Sequence, residues 1–222
     1  AVSSPDGVAK GGAYYRGTGS YDAVWTLDSE LTIEGNTAKG GSAYGGAVCL
    51  NIRGGQLIGN NDAVLNIRNN YAEALADDGE ARGGALFVDI AIEGFSSVNI
   101  TGNYAKAQNP DNAYGGAIAA SMLTIENNDK VVIRGNYVTD GSTYQLSGIH
   151  YTRQLMLNAG AGQKIEIYDG ISKGTSSSEL YFNEDTTQTG TILLSGAHTV
   201  ADLKATGSKA TAAEVEASRL IS

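Results

Sequence analysis

Two motifs alternate along this chain at a nearly fixed interval, and no other feature restricts its fold as strongly. A glycine pair recurs as "KGGAY" (10–14), "AYGGAV" (43–48), "RGGAL" (82–86) and "AYGGAI" (113–118), with its first glycine at 11, 45, 83 and 115. A second motif reads "LTIEGNTA" from Leu31, "LNIRNNYA" from Leu65, "VNITGNYA" from Val98 and "VVIRGNYV" from Val131. Its asparagines, Asn36, Asn70, Asn103 and Asn136, are spaced by 34, 33 and 33 residues, whereas the glycine pairs are spaced by 34, 38 and 32. A common period of this length marks a solenoid, in which each repeat buries its apolar face only against its neighbours.

Helical and β solenoids share periods of this size, so the pattern inside the repeat decides between them. Apolar residues alternate at period two: Leu31 and Ile33, Leu65 and Ile67, Val98 and Ile100, Val131 and Ile133, with Thr32, Asn66, Asn99 and Val132 between them. That is the signature of strands with one buried face. The alternation resumes after each glycine pair, in Val48, Leu50, Ile52, then Leu86, Val88, Ile90, then Ile118, Ala120, Met122, with Asn51, Asp89 and Ser121 as outward equivalents. A shorter apolar patch (Leu57 and Ile58, Phe95, Leu123 and Ile125) makes three expected strands per period. The expected fold is all-β, a right-handed parallel β-helix of about 33–34 residues per coil with protruding loops.

In such a coil, matched positions stack about 4.8 Å apart and become ladders. Asn36, Asn70, Asn103 and Asn136 are expected to form a hydrogen-bonded ladder along a buried turn, and Tyr71, Tyr104 and Tyr137 an aromatic stack beside it. Gly45 and Gly46, Gly83 and Gly84, and Gly115 and Gly116 read as the structural entry to a strand, needing either positive φ or close backbone approach. The segments after each asparagine motif, 73–82, 106–114 and 139–148, vary most and are expected as loops displaced from the coil. They are the candidate recognition surface, through Asp77, Asp78, Glu80, Arg82, Gln108, Asn109, Asp111, Asn112, Tyr114, Asp140 and Tyr144.

Composition restricts the partners. The net charge of −9 argues against nucleic acid or an anionic membrane, both of which call for clustered Lys and Arg. With 41% hydrophobic residues the chain has enough apolar surface to fold, and its single cysteine, Cys49, excludes an internal disulfide. No run of 18 or more apolar residues and no signal-peptide pattern is visible. Both ends fall within the repeat pattern, so residues 1–222 are expected to be one β-helix fragment, with the motifs over 11–148 and diverged coils over 149–222.

The alternation of GGA plus an apolar residue with a motif ending in Asn resembles the passenger domains of the polymorphic membrane protein family of autotransporters, which carry GGA(I/L/V) and FxxN repeats. Here the second motif reads "IEGN", "IRNN", "ITGN" and "IRGN", with isoleucine where that family favours phenylalanine. "LNAGAGQKIEIYDGIS" from Leu157 and "GTILLSGAHTVADLKA" from Gly190 resemble further segments of the family, so the likeness runs from about Lys10 to Ala205. The resemblance implies a type V secreted passenger, displayed on a bacterial surface by a C-terminal outer-membrane barrel. It implies adhesion to a host-cell receptor, a glycan or an extracellular-matrix protein, with no cofactor.

Catalytic signals are weak by comparison. Asp89 is the lone carboxylate among its expected equivalents, Asp77, Asp78 and Glu80 read as a solvated acidic loop rather than a calcium site, and His150 and His198 lack zinc-ligand spacing. Cys49 reads as a small outward-phase filler, and the glycine-rich 17–22 and 160–164 as turns. Thr211 and Glu214 form a capping box that opens either a short helix or a loop. The expectation is a non-enzymatic adhesin; a β-helical polysaccharide lyase or glycosidase and a passive surface spacer remain alternatives, and weak self-association is expected at exposed coil ends.

Overall fold

In the computed structural model, residues 1–4, 6–17, 23–175, 178–182 and 190–195 are described. His198 and the Thr211 to Glu214 capping box lie outside the described residues. The chain winds as a parallel β-solenoid of about 5 turns. The first four turns each contribute to four sheets rather than three.

A wall sheet stacks Val8–Lys10, Ser42–Tyr44, Ala81–Arg82 and Ala113–Tyr114. Past the glycine pair, a floor sheet stacks Tyr14–Arg16, Val48–Gly59, Leu86–Glu93, Ile118–Glu126 and Ile149–Leu157. A back sheet runs through Leu31–Glu34, Val64–Arg68, Ser97–Thr101, Lys130–Arg134, Lys164–Ile167 and Thr191–Leu194. A tyrosine sheet holds Thr37–Gly40, Tyr71–Ala74, Tyr104–Lys106 and Tyr137–Thr139, and ends in the antiparallel strand Tyr144–Leu146.

The alternating apolar residues are rungs. Leu31, Leu65, Val98, Val131 and Ile165 are consecutive partners, as are Ile33, Ile67, Ile100, Ile133 and Ile167, 34 residues separating the last pair in each. From Leu65 and Ile67 onward they are fully buried, each stabilising the fold by roughly 2 kcal/mol.

Two expectations are corrected. The wall sheet was not foreseen: its strands are two or three residues long, too short for a period to show, and two of them, Ala81–Arg82 and Ala113–Tyr114, occupy the ends of segments expected to be loops. Arg82 and Tyr114 are therefore strand residues, and the true connections shrink to 75–80 and 107–112, the latter carrying the short 3-10 turn Pro110–Asn112. Likewise the patches after the glycine-pair strands are continuations of one bent strand, and Phe95 sits buried in a turn.

Irregular glycine spacing has the same origin. The floor strand is 12 residues long in the coil where the wall strand follows the tyrosine sheet almost directly, and 8 residues long in the next coil, where the longer connection 75–80 intervenes. Lengths trade off across the glycine pair, so the asparagine interval stays constant while the glycine interval does not.

Candidate functional site

The glycine pair folds the wall sheet sharply onto the floor sheet, and each glycine has a separate reason. Gly45 has φ of +62°, the left-handed region that favours glycine. Gly46 has ordinary φ, but a Cβ there would lie 2.0 Å from the carbonyl oxygen of Gly84 and 2.4 Å from the Tyr71 carbonyl carbon. The backbone of successive corners nests too closely for any side chain.

Folding this corner brings two outward-facing ladders together. Lys10, Tyr44, Arg82 and Tyr114 form the wall rungs. Tyr15, Cys49, Phe87, Ala119, His150 and Ser172 form the floor rungs. The wall side chains lean one coil forward: Tyr44 stacks on Phe87 with ring centroids 5.1 Å apart, and Tyr114 meets His150 at 4.9 Å. Between these pairs, Arg82 lies over the Tyr114 ring at 5.2 Å and is held by Glu80 through contacts of 2.9 and 3.1 Å. Lys10 instead lies over Tyr15 of its own coil at 5.6 Å.

At the middle rung the floor carries only the methyl of Ala119, where its neighbours carry the rings of Phe87 and His150. A cleft of about 200 Å³ opens there, lined by Arg82, Phe87, Asp89, Ala119, Ala120, Ser121, His150 and Thr152, with Leu50 and Val88 beneath. Register is interrupted between Val88 and Ile90, so Asp89 is not a rung shared with Asn51 and Ser121. Its Oδ1 accepts hydrogen bonds from the backbone N–H groups of Ser121 (2.6 Å) and Met122 (3.1 Å), capping the bulge on the next coil. Among the described residues Asp89 Oδ2 accepts none.

Burial sets the protonation states in this corner. It pushes His150 down to about 4, with the nearby Arg82 charge acting in the same direction, so the imidazole is neutral at neutral pH. His150 Nδ1 lies 3.0 Å from Ser172 Oγ. Cys49 occupies the outward phase and is fully buried there, and burial raises its thiol to about 11, which makes it inert.

The other candidate positions are spread along the coil. Asp77 and Asp78 are exposed at the tip of connection 75–80, and among the described residues no group of three or more His, Cys, Asp or Glu side chains is gathered to hold a metal. Gln108, Asn109, Asp111 and Asn112 form the small connection ahead of Tyr114, where Asn109 accepts from the Asp111 N–H at 3.1 Å. Asp140 caps its own hairpin, accepting from the N–H groups of Ser142 and Thr143 at 2.7 Å each, and these bonds hold its carboxyl below the usual range. Tyr144 is 78% exposed and meets Tyr137 edge-on. Only Glu80, Arg82 and Tyr114 of these candidates join the corner.

Tyr71, Tyr104 and Tyr137 stack at 4.8 and 5.1 Å. The faces between neighbouring rings are consumed by one another, so along its length this ladder offers outside partners ring edges and phenol oxygens. Alongside it, Glu73 bridges Lys39 at 2.7 Å and Lys106 at 3.1 Å. Sequence reasoning missed Phe87, Ala119, His150 and Thr152, because their meaning lies in the wall sheet that faces them. The available signal was the identical place of Tyr44, Arg82 and Tyr114 directly before each glycine pair. No family model matches the chain, and no curated protein or solved structure is similar to it.

Proposed function

We propose that this chain is part of a bacterial cell-surface passenger that serves attachment, and that the corner formed at the glycine pairs is its contact surface. The repeat resemblance supports the surface setting, with delivery through an outer-membrane barrel and adhesion to a host-cell receptor, glycan or matrix protein. The observation that carries the reading is the pair of ladders at the corner, which holds Tyr44, Arg82, Tyr114, Phe87 and His150 in rigid register along the coil axis. Loops on a scaffold must be ordered before they bind; side chains already fixed in strands lose less entropy on contact.

Attachment is favoured over hydrolysis by how the carboxylates are engaged. A glycosidase needs two carboxyl groups free to act on either side of one bond. In the corner, Glu80 is committed to Arg82 and Asp89 Oδ1 to two backbone amides. The gathering of Arg82, Asp89 and His150 in one cleft is the feature that keeps a β-helical carbohydrate-active enzyme as the second reading.

The test is retention of the purified chain on host cells and matrix-coated surfaces, beside an Arg82→Glu variant. Retention that drops severalfold in the variant is expected. No retention of the wild-type chain on any surface overturns the attachment reading, and release of reducing or unsaturated ends from a polysaccharide panel replaces it with the enzymatic one.

A further inference from the structure

The corner contains its own ruler. In the tyrosine ladder, adjacent rungs place ring centroids 4.8 and 5.1 Å apart. Phe87 and His150 are separated by one intervening rung, that of Ala119, so their ring positions are about 10 Å apart on the strand repeat. One flat ring fits that interval. Tyr44 stacks on Phe87 from the preceding coil, and Tyr114 meets His150. The vacancy at Ala119 is thus bounded by an aromatic ring on each side and by the Arg82 guanidinium at the wall.

Chemistry selects the ring. Half of the ten lining residues are polar: Arg82, Asp89, Ser121, His150 and Thr152. An aromatic side chain in the vacancy would strip water from these groups and return no hydrogen bonds, a loss comparable to leaving each unpaired. A hydroxylated ring both donates and accepts. Asp89 Oδ2 is an acceptor with no partner among the described residues, and the ring of Phe87 suits the C–H face of a sugar. Charge decides the rest: Arg82 is already paired with Glu80 and Asp89 faces the cleft, so the lining offers an anionic sugar no unpaired cation and sets a carboxylate against it. An anionic sugar is repelled.

We infer that the cleft over Ala119 is a subsite for one ring of a neutral glycan, held between Phe87 and His150 with its hydroxyls on Asp89 and Arg82. This deepens the attachment reading, on which it rests for the surface setting, by naming what is held. The glycan chain would follow the corner along the coil axis.

The experiment titrates the purified chain with neutral hexose trisaccharides and with hexuronate trisaccharides by calorimetry, and repeats the titration for Ala119→Phe, which fills the vacancy, and Phe87→Leu, which removes one ring. Saturable binding of a neutral trisaccharide is expected, at least about tenfold tighter than its uronate counterpart, absent in A119F and about tenfold weaker in F87L. Should A119F not fold, F87L and the neutral-to-uronate ratio decide. Equal binding by wild type and F87L, preference for the uronate, or no binding of either sugar overturns the subsite. If sugar binding fails while cell retention persists, only the subsite falls; if both fail, the attachment reading falls with it.

Discussion

At the scale of single residues, the two glycines of each pair do different work. Gly45 supplies a positive φ and Gly46 a missing Cβ, and the backbone atoms that a Cβ at 46 would strike belong to the next coil. The residue before each ladder asparagine also takes positive φ: Gly35 at 69°, Asn69 at 56°, Gly102 at 66° and Gly135 at 69°. At Gly35 no atom lies within 4 Å of where a Cβ would sit, so only the backbone conformation resists a side chain. Gly35→Asn is therefore expected to be nearly neutral, since Asn69 already adopts that conformation, and Gly35→Ala to cost about 1 kcal/mol. Gly46→Ala is expected to cost more than about 3 kcal/mol, because two coils must move apart. Chemical denaturation of the three variants checks the order, and a Gly46→Ala protein as stable as Gly35→Asn contradicts the nesting of the corners. The sequence revealed that these glycines are structural; which of the two reasons applies at each position depends on contacts between coils and is not written in any one repeat.

At the scale of elements, the asparagine ladder is directional. Each amide oxygen accepts from the backbone and side chain of the preceding rung, and each Nδ2 donates to backbone carbonyls: Asn70 and Asn103 are joined at 2.9 and 3.0 Å, and Asn103 and Asn136 at 3.0 and 2.9 Å. The chain of bonds ends on Asp169, which accepts from Gly135 N–H (2.7 Å), Asn136 N–H (2.9 Å) and Asn136 Nδ2 (2.7 Å). A carboxylate suits that end because it is asked only to accept. In the middle it would face the carbonyls of Ile67 and Thr101, to which Asn103 Nδ2 donates at 3.0 and 3.1 Å. Asn103→Asp and Asn103→Ala are both expected to lose about 3 kcal/mol or more, the first by setting acceptor against acceptor and the second by orphaning buried groups. Thermal melting of the pair, with Asn99→Ala on the partly exposed neighbouring face as control, tests this; equal melting temperatures for all three refute the ladder's role. The spacing of the asparagines announced the ladder. Asp169 was hidden because it comes in "YDG" rather than in the repeat's own motif, and the tyrosine stack was visible only because its residues follow the asparagines directly.

At the scale of the whole molecule, the period gave the coil, the alternation gave the strands, and neither gave the corner. A wall strand such as Ala81–Arg82 is too short to carry a period, so Arg82 and Tyr114 read as loop residues until the glycine turn sets them against Phe87 and His150. The same assembly makes stability depend on pH through two groups, one acting mainly above pH 4.5 and one below it. His150 is held at about 4 in the folded chain against its usual 6.5, so as pH falls through 6.5 the unfolded chain takes up a proton that the folded one refuses. Stability is lost progressively down to about pH 4, by at most about 3 kcal/mol, and the loss then levels off. Glu73 behaves oppositely: burial pushes its carboxyl up, but Lys39 and Lys106 together pull it below its usual 4.5. Its contribution is present above pH 4.5 and disappears as the pH falls below that value. Melting the protein between pH 7.5 and pH 3 is expected to show a decline of several degrees between pH 6.5 and 4.5 that His150→Asn removes. Glu73→Gln should leave that decline intact and flatten the curve only below about pH 4.5. If H150N melts with the wild-type pH profile, the imidazole is not buried neutral in the corner.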